Sequence, residues 1–308
     1  MFTGGKGPKK SLIDSLKSMK SQVPAFLSKK AGSKSDKEGE AADNEESKEL
    51  LDKKDEGGDD EKEGLRTNDA KQYISTAALL NYIAPDRPSI QFGIKECLRK
   101  SSSPNKADET RLKRVCKYLV GRPREVLRFG WRDDCDKLYI YADSDFAGCP
   151  RTRKSTAGGV ATVGGHLLKT WSKTIPVLCL SSGEAELMAL VRAGAEALGL
   201  RALYEDFGIN MSITIGSDAT AAIGMVSRLG LGRVRHLAVS DLWLQERSRS
   251  GDMTFQKVPG HDNPSDALTK AVDHITLDRH LETMGFVSLD GRPEIAPKAK
   301  SSEENGSK

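Results

Sequence analysis

Four acidic residues stand at the ends of apolar stretches. Asp143 closes LYIYAD, Glu186 sits in SSGEAELMAL, Asp218 closes ITIGSD, and Asp266 falls in GHDNPSDALTK. They come in the order Asp, Glu, Asp, Asp over about 120 residues. Two divalent ions about 4 Å apart must be neutralised by three or four carboxylates from different elements, and the chemistry of such a pair is phosphodiester cleavage. Mg²⁺ prefers hard oxygen ligands of this kind, and Mn²⁺ is a substitute for it. Each acid also has an ordinary structural reading. Asp143 could end a turn, Asp218 could cap the helix begun by ATAAIG, and Asp266 could complement a helix dipole. Glu186 has a rival two residues away, because Ser181 and Glu184 spell a capping box. On a helix the two glutamates point about 200° apart, so only one can face the metals, and the wheel alone does not choose.

The elements that must position these acids follow from periodicity. KLYIYAD alternates, which puts Asp143 on one face with Tyr139 and Tyr141. GGVATVGG and HLLKTWS read as two more strands joined by a Gly-Gly turn, and LRFGW as an earlier one. SSGEAELMALVRAGAEALGLRALYEDFG is a long helix ending at Gly208, MSITIGSD a buried strand, and ATAAIGMVSRL the helix after it. RHLAVSDLWLQERSRSG is another helix, MTFQKVPG a strand, and NPSDALTKAVD opens a last helix. Upstream, residues 70–84 form a helix that stops before Pro85, and PSIQFGIKECLRK begins on Pro88. ADETRLKRVCKYLVG is acidic first and basic later, as the helix dipole favours, and stops at Gly121. The apolar faces of these three helices need a cover: the body itself, a further domain, or a second copy.

Composition separates the ends from this body. Residues 1–66 are blocks of Lys, Glu, Asp, Gly and Ser with almost no aromatic or β-branched residues, the composition of a disordered charged tail. About the first 34 residues are basic, whereas SDKEGEAADNEESKELLDKKDEGGDDEKEG is strongly acidic. SLIDSLKSMKSQVPAFL has helical apolar spacing, as a docking peptide or a solvated stretch would. Residues 286–308 read as a second tail. The whole chain of 308 residues carries a net charge of +4, and its body is more basic still. Arg99, Lys100, Lys106, Arg111, Lys113, Arg114, Lys117, Arg122 and Arg124 crowd into about 26 residues. A polyanion such as nucleic acid is the partner this suggests, a solvated helix face is the plain alternative, and the acidic tail could compete for the same surface. Cys97, Cys116, Cys135, Cys149 and Cys179 have no metal-ligand spacing. With no signal peptide, they predict free thiols in a reducing compartment, hence an intracellular protein of the cytoplasm or nucleus, not secreted. No apolar run approaches membrane-spanning length, so no membrane contact is expected.

The acids, in this order of strands and helices, resemble ribonuclease H. YADSDFAGCPRTRKSTAGGV, LKTWSKTIPVLCLSSGEAELMAL, VRHLAVSDLWLQERSRSGDMTFQKVPG and DALTK are similar to the RNase H domain of copia-type LTR retrotransposon Pol polyproteins. YISTAALLNYIAPDRPSIQFGIKECLRKSSSPNKADETRLKRVCKYLVG resembles the segment that links reverse transcriptase to that domain. The likeness covers roughly residues 70 to 285, although no YVDD-type polymerase motif precedes it. Ile74 and Ala78 stand where the family pattern has an Arg and a Gly.

The resemblance implies an α/β, RNase H-like fold, a five-stranded mixed sheet flanked by helices, over residues 131–285. A helical remnant of the reverse transcriptase connection would occupy 67–130. Asp143, Glu186, Asp218 and Asp266 become the catalytic ligands of two Mg²⁺ ions, and the activity becomes hydrolysis of the RNA strand of RNA–DNA hybrids. His261, on the loop before Asp266, would assist proton movement or product departure. His236 matches a family histidine with no chemistry attached. Arg153, Lys154 and Lys173 would contact phosphates near the cut, and Arg111, Lys113 and Arg114 would grip the hybrid. A reverse transcriptase polymerase domain is a further partner implied. Two other readings compete. One is a catalytically inactive or domesticated remnant that only binds nucleic acid. The other is an integrase or resolvase of the same topology, against which the position of Asp266 counts.

Overall fold

The computed structural model describes residues 64–132, 135–230, 232 and 239–291. The expected tail through Glu63, the residues from 292 onward, and His236 lie outside them. Three helices open the described chain. α1 (Thr67–Ile83) passes into a 3-10 turn at Ala84–Asp86. α2 (Pro88–Leu98) starts on a proline, whose missing N–H is not needed in a first turn. α3 (Lys106–Gly121) is fixed by a capping box in which the Asn105 side chain accepts from the Asp108 N–H at 2.8 Å and the Asp108 carboxylate accepts from the Asn105 N–H at 3.2 Å.

The body is a sheet of β2 (Lys137–Asp145), β3 (Thr156–Val163), β4 (His166–Thr174), β5 (Ser212–Ser217) and β6 (Met253–Lys257), in the order β4-β3-β2-β5-β6. The first three run antiparallel, with Gly164 and Gly165 both at positive φ in the two-residue turn between β3 and β4. β5 and β6 run parallel to β2. The long α4 (Ser182–Asp206) connects β4 to β5, and α5 (Thr220–Ser227) with α6 (Trp243–Arg249) connects β5 to β6. This is an RNase H-like α/β fold, a five-stranded mixed sheet flanked by helices. The register pairs Tyr141 with Gly216, so the strand ends that lead to Asp143 and Asp218 meet at one edge of the sheet.

Both faces of the sheet are covered. Leu138, Ile140 and Ala142 pack with Leu187 and Leu190 of α4 on one side. On the other, Val160 and Leu167 share a core with Tyr73, Ile94 and Leu112 of the three opening helices, together with Leu268 and Leu277. Of the three covers open to those helices, the body is the one seen. Lys95 donates to the Thr156 hydroxyl at 2.7 Å and Gln91 to the Thr170 carbonyl at 3.4 Å, which fixes α2 to the edge of the sheet.

Four expectations need correction. The strand expected over LRFGW falls just before it, as β1 (Arg124–Leu127), and the tail expected from residue 286 opens with β7 (Phe286–Leu289). The two pair antiparallel, Leu127 opposite the buried Phe286, while Arg87, Ser89 and Tyr118 all donate to the Glu125 carboxylate. Phe129 and Trp131 are left outside the ribbon, Trp131 at 92% exposure, because alternation alone cannot say which apolar residues find a partner strand. In RHLAVSDLWLQERSRSG the described part is a 3-10 turn at Val239–Leu242 followed by α6. Finally, NPSDALTKAVD does not open an α-helix. It forms a 3-10 turn at Pro264–Leu268, and a separate α7 (His274–Thr283) starts on its own cap, Asp273, which accepts from the Thr276 N–H at 2.9 Å.

Candidate metal centre

Asp143 lies two residues before the end of β2, Glu186 lies in the second turn of α4, and Asp218 follows β5 directly. Their carboxylates converge: one ligand oxygen from each lies within 4.8 Å of the others. Asp143 is buried, Glu186 half-buried, and Asp218 lies towards solvent. The cluster is therefore open on one side.

Two of the three carboxylates are held by a specific donor. The Thr269 hydroxyl donates to Asp143 Oδ2 at 2.5 Å, and the Ser144 N–H donates to Glu186 Oε1 at 3.3 Å. Among the described residues, Glu186 Oε2 is buried with no hydrogen-bond partner. An acceptor left so is costly unless a cation or proton meets it. That orphaned oxygen, with two further carboxylates beside it, fits a divalent ion with hard oxygen ligands.

The choice between the two glutamates is made by the cap. Glu184 N–H donates to Ser181 Oγ at 3.2 Å, and the Glu184 carboxylate accepts from the Leu180 N–H at 2.7 Å. Glu184 is thereby tied to the start of α4, and Glu186 goes to the cluster.

Asp266 stands next to the cluster rather than in the group of three. Its carboxylate pairs with Lys270 at 2.6 Å across one turn of chain, and its charge reaches Asp143. The turn that carries it is pinned by Asn263, whose amide donates to the Ala142 carbonyl at 3.0 Å while its oxygen accepts from the Ser265 N–H and hydroxyl. Asn263→Ala strands a buried carbonyl and hydroxyl, so we expect a loss of about 2 kcal/mol in urea unfolding. A loss below about 0.5 kcal/mol would mean that the turn is held by packing alone.

The other expected residues are scattered. His261 is exposed in the 3-10 turn Gly260–Asp262 and lies 3.3 Å from the Asp262 carboxylate. Its neighbour Gly260 abuts Asp218. Arg153, at φ 54, and Lys154 are on the β2–β3 connection, and Lys173 is near the end of β4 on the same sheet edge as Asp143. Arg111 and Lys113 of α3 are paired with Asp108 and Glu109 at 2.9 and 2.6 Å, and Arg114 lies along a groove away from the cluster. Sequence reasoning missed Thr269 and Asn263. It also passed over Asp145, which the strand period puts on the face of Asp143 and whose carboxyl is raised by burial against the pull of Lys270 and Lys95.

The electrostatics show what the cluster lacks without a cation. Burial, and then the charge of Glu186, pushes the Asp143 carboxyl well above its ordinary range, against the Thr269 hydrogen bond. Burial, opposed by the Ser144 hydrogen bonds and aided by Asp218, pushes Glu186 from 4.5 up to about 7. A carboxyl that holds its proton more tightly folded than unfolded loses stability as pH rises from its unfolded to its folded value. In a chelator we therefore expect stability to fall between pH 4.5 and about 7, with Glu186 contributing on the order of 3 kcal/mol. Urea midpoints at pH 5 and pH 8 measure it. Glu186→Gln should flatten that slope, and an unchanged slope would show that the cluster is not its source.

No family model matches the sequence. The chain is 28% identical over 219 residues to the retrovirus-related Pol polyprotein from transposon TNT 1-94 of Nicotiana tabacum, covering 70% of this chain and 16% of that one. It is 24% identical over 229 residues to the corresponding polyprotein from transposon RE2 of Arabidopsis thaliana, covering 73% and 16%. The chain thus spans about one sixth of the length of these relatives. Among solved structures, LC11-RNase H1 in complex with RNA/DNA hybrid is 20% identical, over 46% of this chain and 99% of that one, with a TM-score of 0.33. Sequence relatives over most of the folded body are thus retrovirus-related Pol polyproteins of plant transposons, in agreement with the motifs that resembled the copia-type polyproteins.

Proposed function

We propose that the chain is a metal-dependent endonuclease that hydrolyses the RNA strand of RNA–DNA hybrids. The observation that carries this reading is the convergence of Asp143, Glu186 and Asp218 from three elements on one sheet edge, with Glu186 Oε2 buried and unpartnered. These three residues would hold the metal, with Asp266 beside them. Divalent ions such as Mg²⁺, if held there, would supply the Lewis acidity that phosphodiester hydrolysis needs.

The protein's own groups orient that site. Thr269 fixes which way the Asp143 carboxylate faces, and the Ser144 N–H turns Glu186 so that its second oxygen is left for a cation. Lys270 pairs with Asp266 and holds it beside the cluster. His261, on the exposed loop, takes the role of moving a proton to or from bulk water. Arg153, Lys154 and Lys173 contact the backbone phosphates, and selection of RNA rests on 2′-hydroxyl contacts across the wide minor groove.

Substrate choice tests the proposal. An RNA–DNA hybrid, a duplex RNA and a duplex DNA of one sequence are offered to the purified chain with Mg²⁺. The expected result is cleavage of the hybrid's RNA strand alone, leaving 3′-hydroxyl and 5′-phosphate ends. Equal cutting of duplex DNA would move the reading to another nuclease of the same topology.

A further inference from the structure

A groove of about 700 Å³ runs between α2, α3, the β2–β3 connection and the segment that leads from the Asp266 turn into α7. Its size is that of a ligand or peptide site. Six cations line it: Arg99, Lys100, Arg111, Arg114, Arg151 and Lys270. Two carboxylates line it with them, Glu96 against Arg99 and Asp108 against Arg111 and, at 4.0 Å, Lys100, while Lys270 pairs with Asp266 beside the groove. Its floor is apolar, with Ile90, Phe92, Val115, Val272 and Leu277. Six cations against two carboxylates, over an apolar floor, favour an occupant that is acidic and carries a few apolar side chains.

The chain itself contains such a segment. Asp43–Glu63 holds eleven acidic residues against four lysines, with the pair Leu50–Leu51 among them. It enters the described structure beside the groove. Gly64 bridges to Asn105, and the Leu65 N–H donates to the Pro104 carbonyl at 3.1 Å, at the cap of α3. Arg111 is six residues along that helix, a rise of about 9 Å. Leu51 is thirteen residues before Gly64, a reach of up to about 45 Å. Length is no obstacle.

We infer that the groove is a docking site for the chain's own acidic segment, Asp43–Glu63. Leu50 and Leu51 meet the apolar floor and the acids meet the cationic rim. Occupied in this way, the rim is withheld from other polyanions, so the segment competes with nucleic acid. The docking does not depend on the nuclease proposal. Only the competition rests on it, and it is read as binding, not as cleavage.

The test uses the full chain with its own segment neutralised by Glu45→Gln, Glu46→Gln, Glu49→Gln, Asp52→Asn, Asp55→Asn and Glu56→Gln. A fluorescent peptide of residues 43–63 is titrated into it at low salt. Binding is expected, with about tenfold weakening when Lys100→Glu and Arg151→Glu are added. Leu50→Ser with Leu51→Ser in the peptide should weaken it by a similar factor, about tenfold, as the apolar contact is lost. No binding, or equal binding of a scrambled peptide of the same composition, overturns the docking site. In the second arm, the neutralised chain should bind an RNA–DNA hybrid about tenfold more tightly than the unaltered chain at low salt. Equal affinity overturns the competition.

Discussion

Asp143→Asn is expected to lower cleavage of the RNA strand by at least about a thousandfold while the chain still folds. Asp143 is the deepest of the three converging carboxylates, and the Thr269 hydroxyl grips it. The amide keeps the shape and can still accept from Thr269, but it brings no charge to a cation. Stability should move the other way. Asp143 is buried beside Glu186, and burial and then the charge of Glu186 make it harder to ionise. With a chelator present at pH 8, removing one of them relieves that repulsion, so the variant should melt at a higher temperature than the unaltered chain. Added Mg²⁺ should stabilise the unaltered chain and not the variant. A variant that is both inactive and less stable at pH 8 would point to damaged packing instead. Glu184→Gln is the matched control: it should cost stability at the start of α4 and leave cleavage within about tenfold.

Gly159→Ala should be the most damaging small change to the fold. A methyl placed at Gly159 would lie 2.0 Å from the Trp171 ring, which is itself buried in the core under α4. Neither strand nor ring can retreat without opening that core, so a loss of about 3 kcal/mol or more is expected in urea unfolding. The neighbouring glycine matters to the site instead. A methyl at Gly158 would meet the Ser265 carbonyl at 2.9 Å and the Thr269 methyl at 2.7 Å, the turn that bears Asp266 and holds Asp143. Gly158→Ala should therefore weaken Mg²⁺ binding as well as stability. Gly199→Ala on the exposed face of α4 meets nothing within 4 Å and should raise stability by up to about 1 kcal/mol. If Gly159→Ala behaves like Gly199→Ala, the packing described for Trp171 is wrong.

The residues that were legible in the sequence are those whose signal is local. Strand alternation and apolar runs located β2, β3, β4, β5 and β6, and the acids at their ends came with them. The Ser181–Glu184 cap was visible too, but a helical wheel could not say which glutamate lost its freedom. That needed the contact from Glu184 to the Leu180 N–H. Thr269 and Asn263 were beyond reach because their partners, Asp143 and Ala142, lie 126 and 121 residues away. Pro264 after Asn263 looked like the first turn of an α-helix. Asn263 instead spends its side chain on β2 and Ser265, and the chain makes a 3-10 turn before a new cap at Asp273. The β1–β7 ribbon was hidden for the same reason, since Leu127 and Phe286 find each other only in three dimensions.

The most direct test of the central claim is cleavage of a hybrid labelled on both strands by the purified full chain, with binding followed in parallel. The account predicts that the RNA strand alone is cut in Mg²⁺, that a chelator stops it, and that binding survives the chelator. A chain that binds the hybrid but cuts neither strand in Mg²⁺ or Mn²⁺ would contradict it.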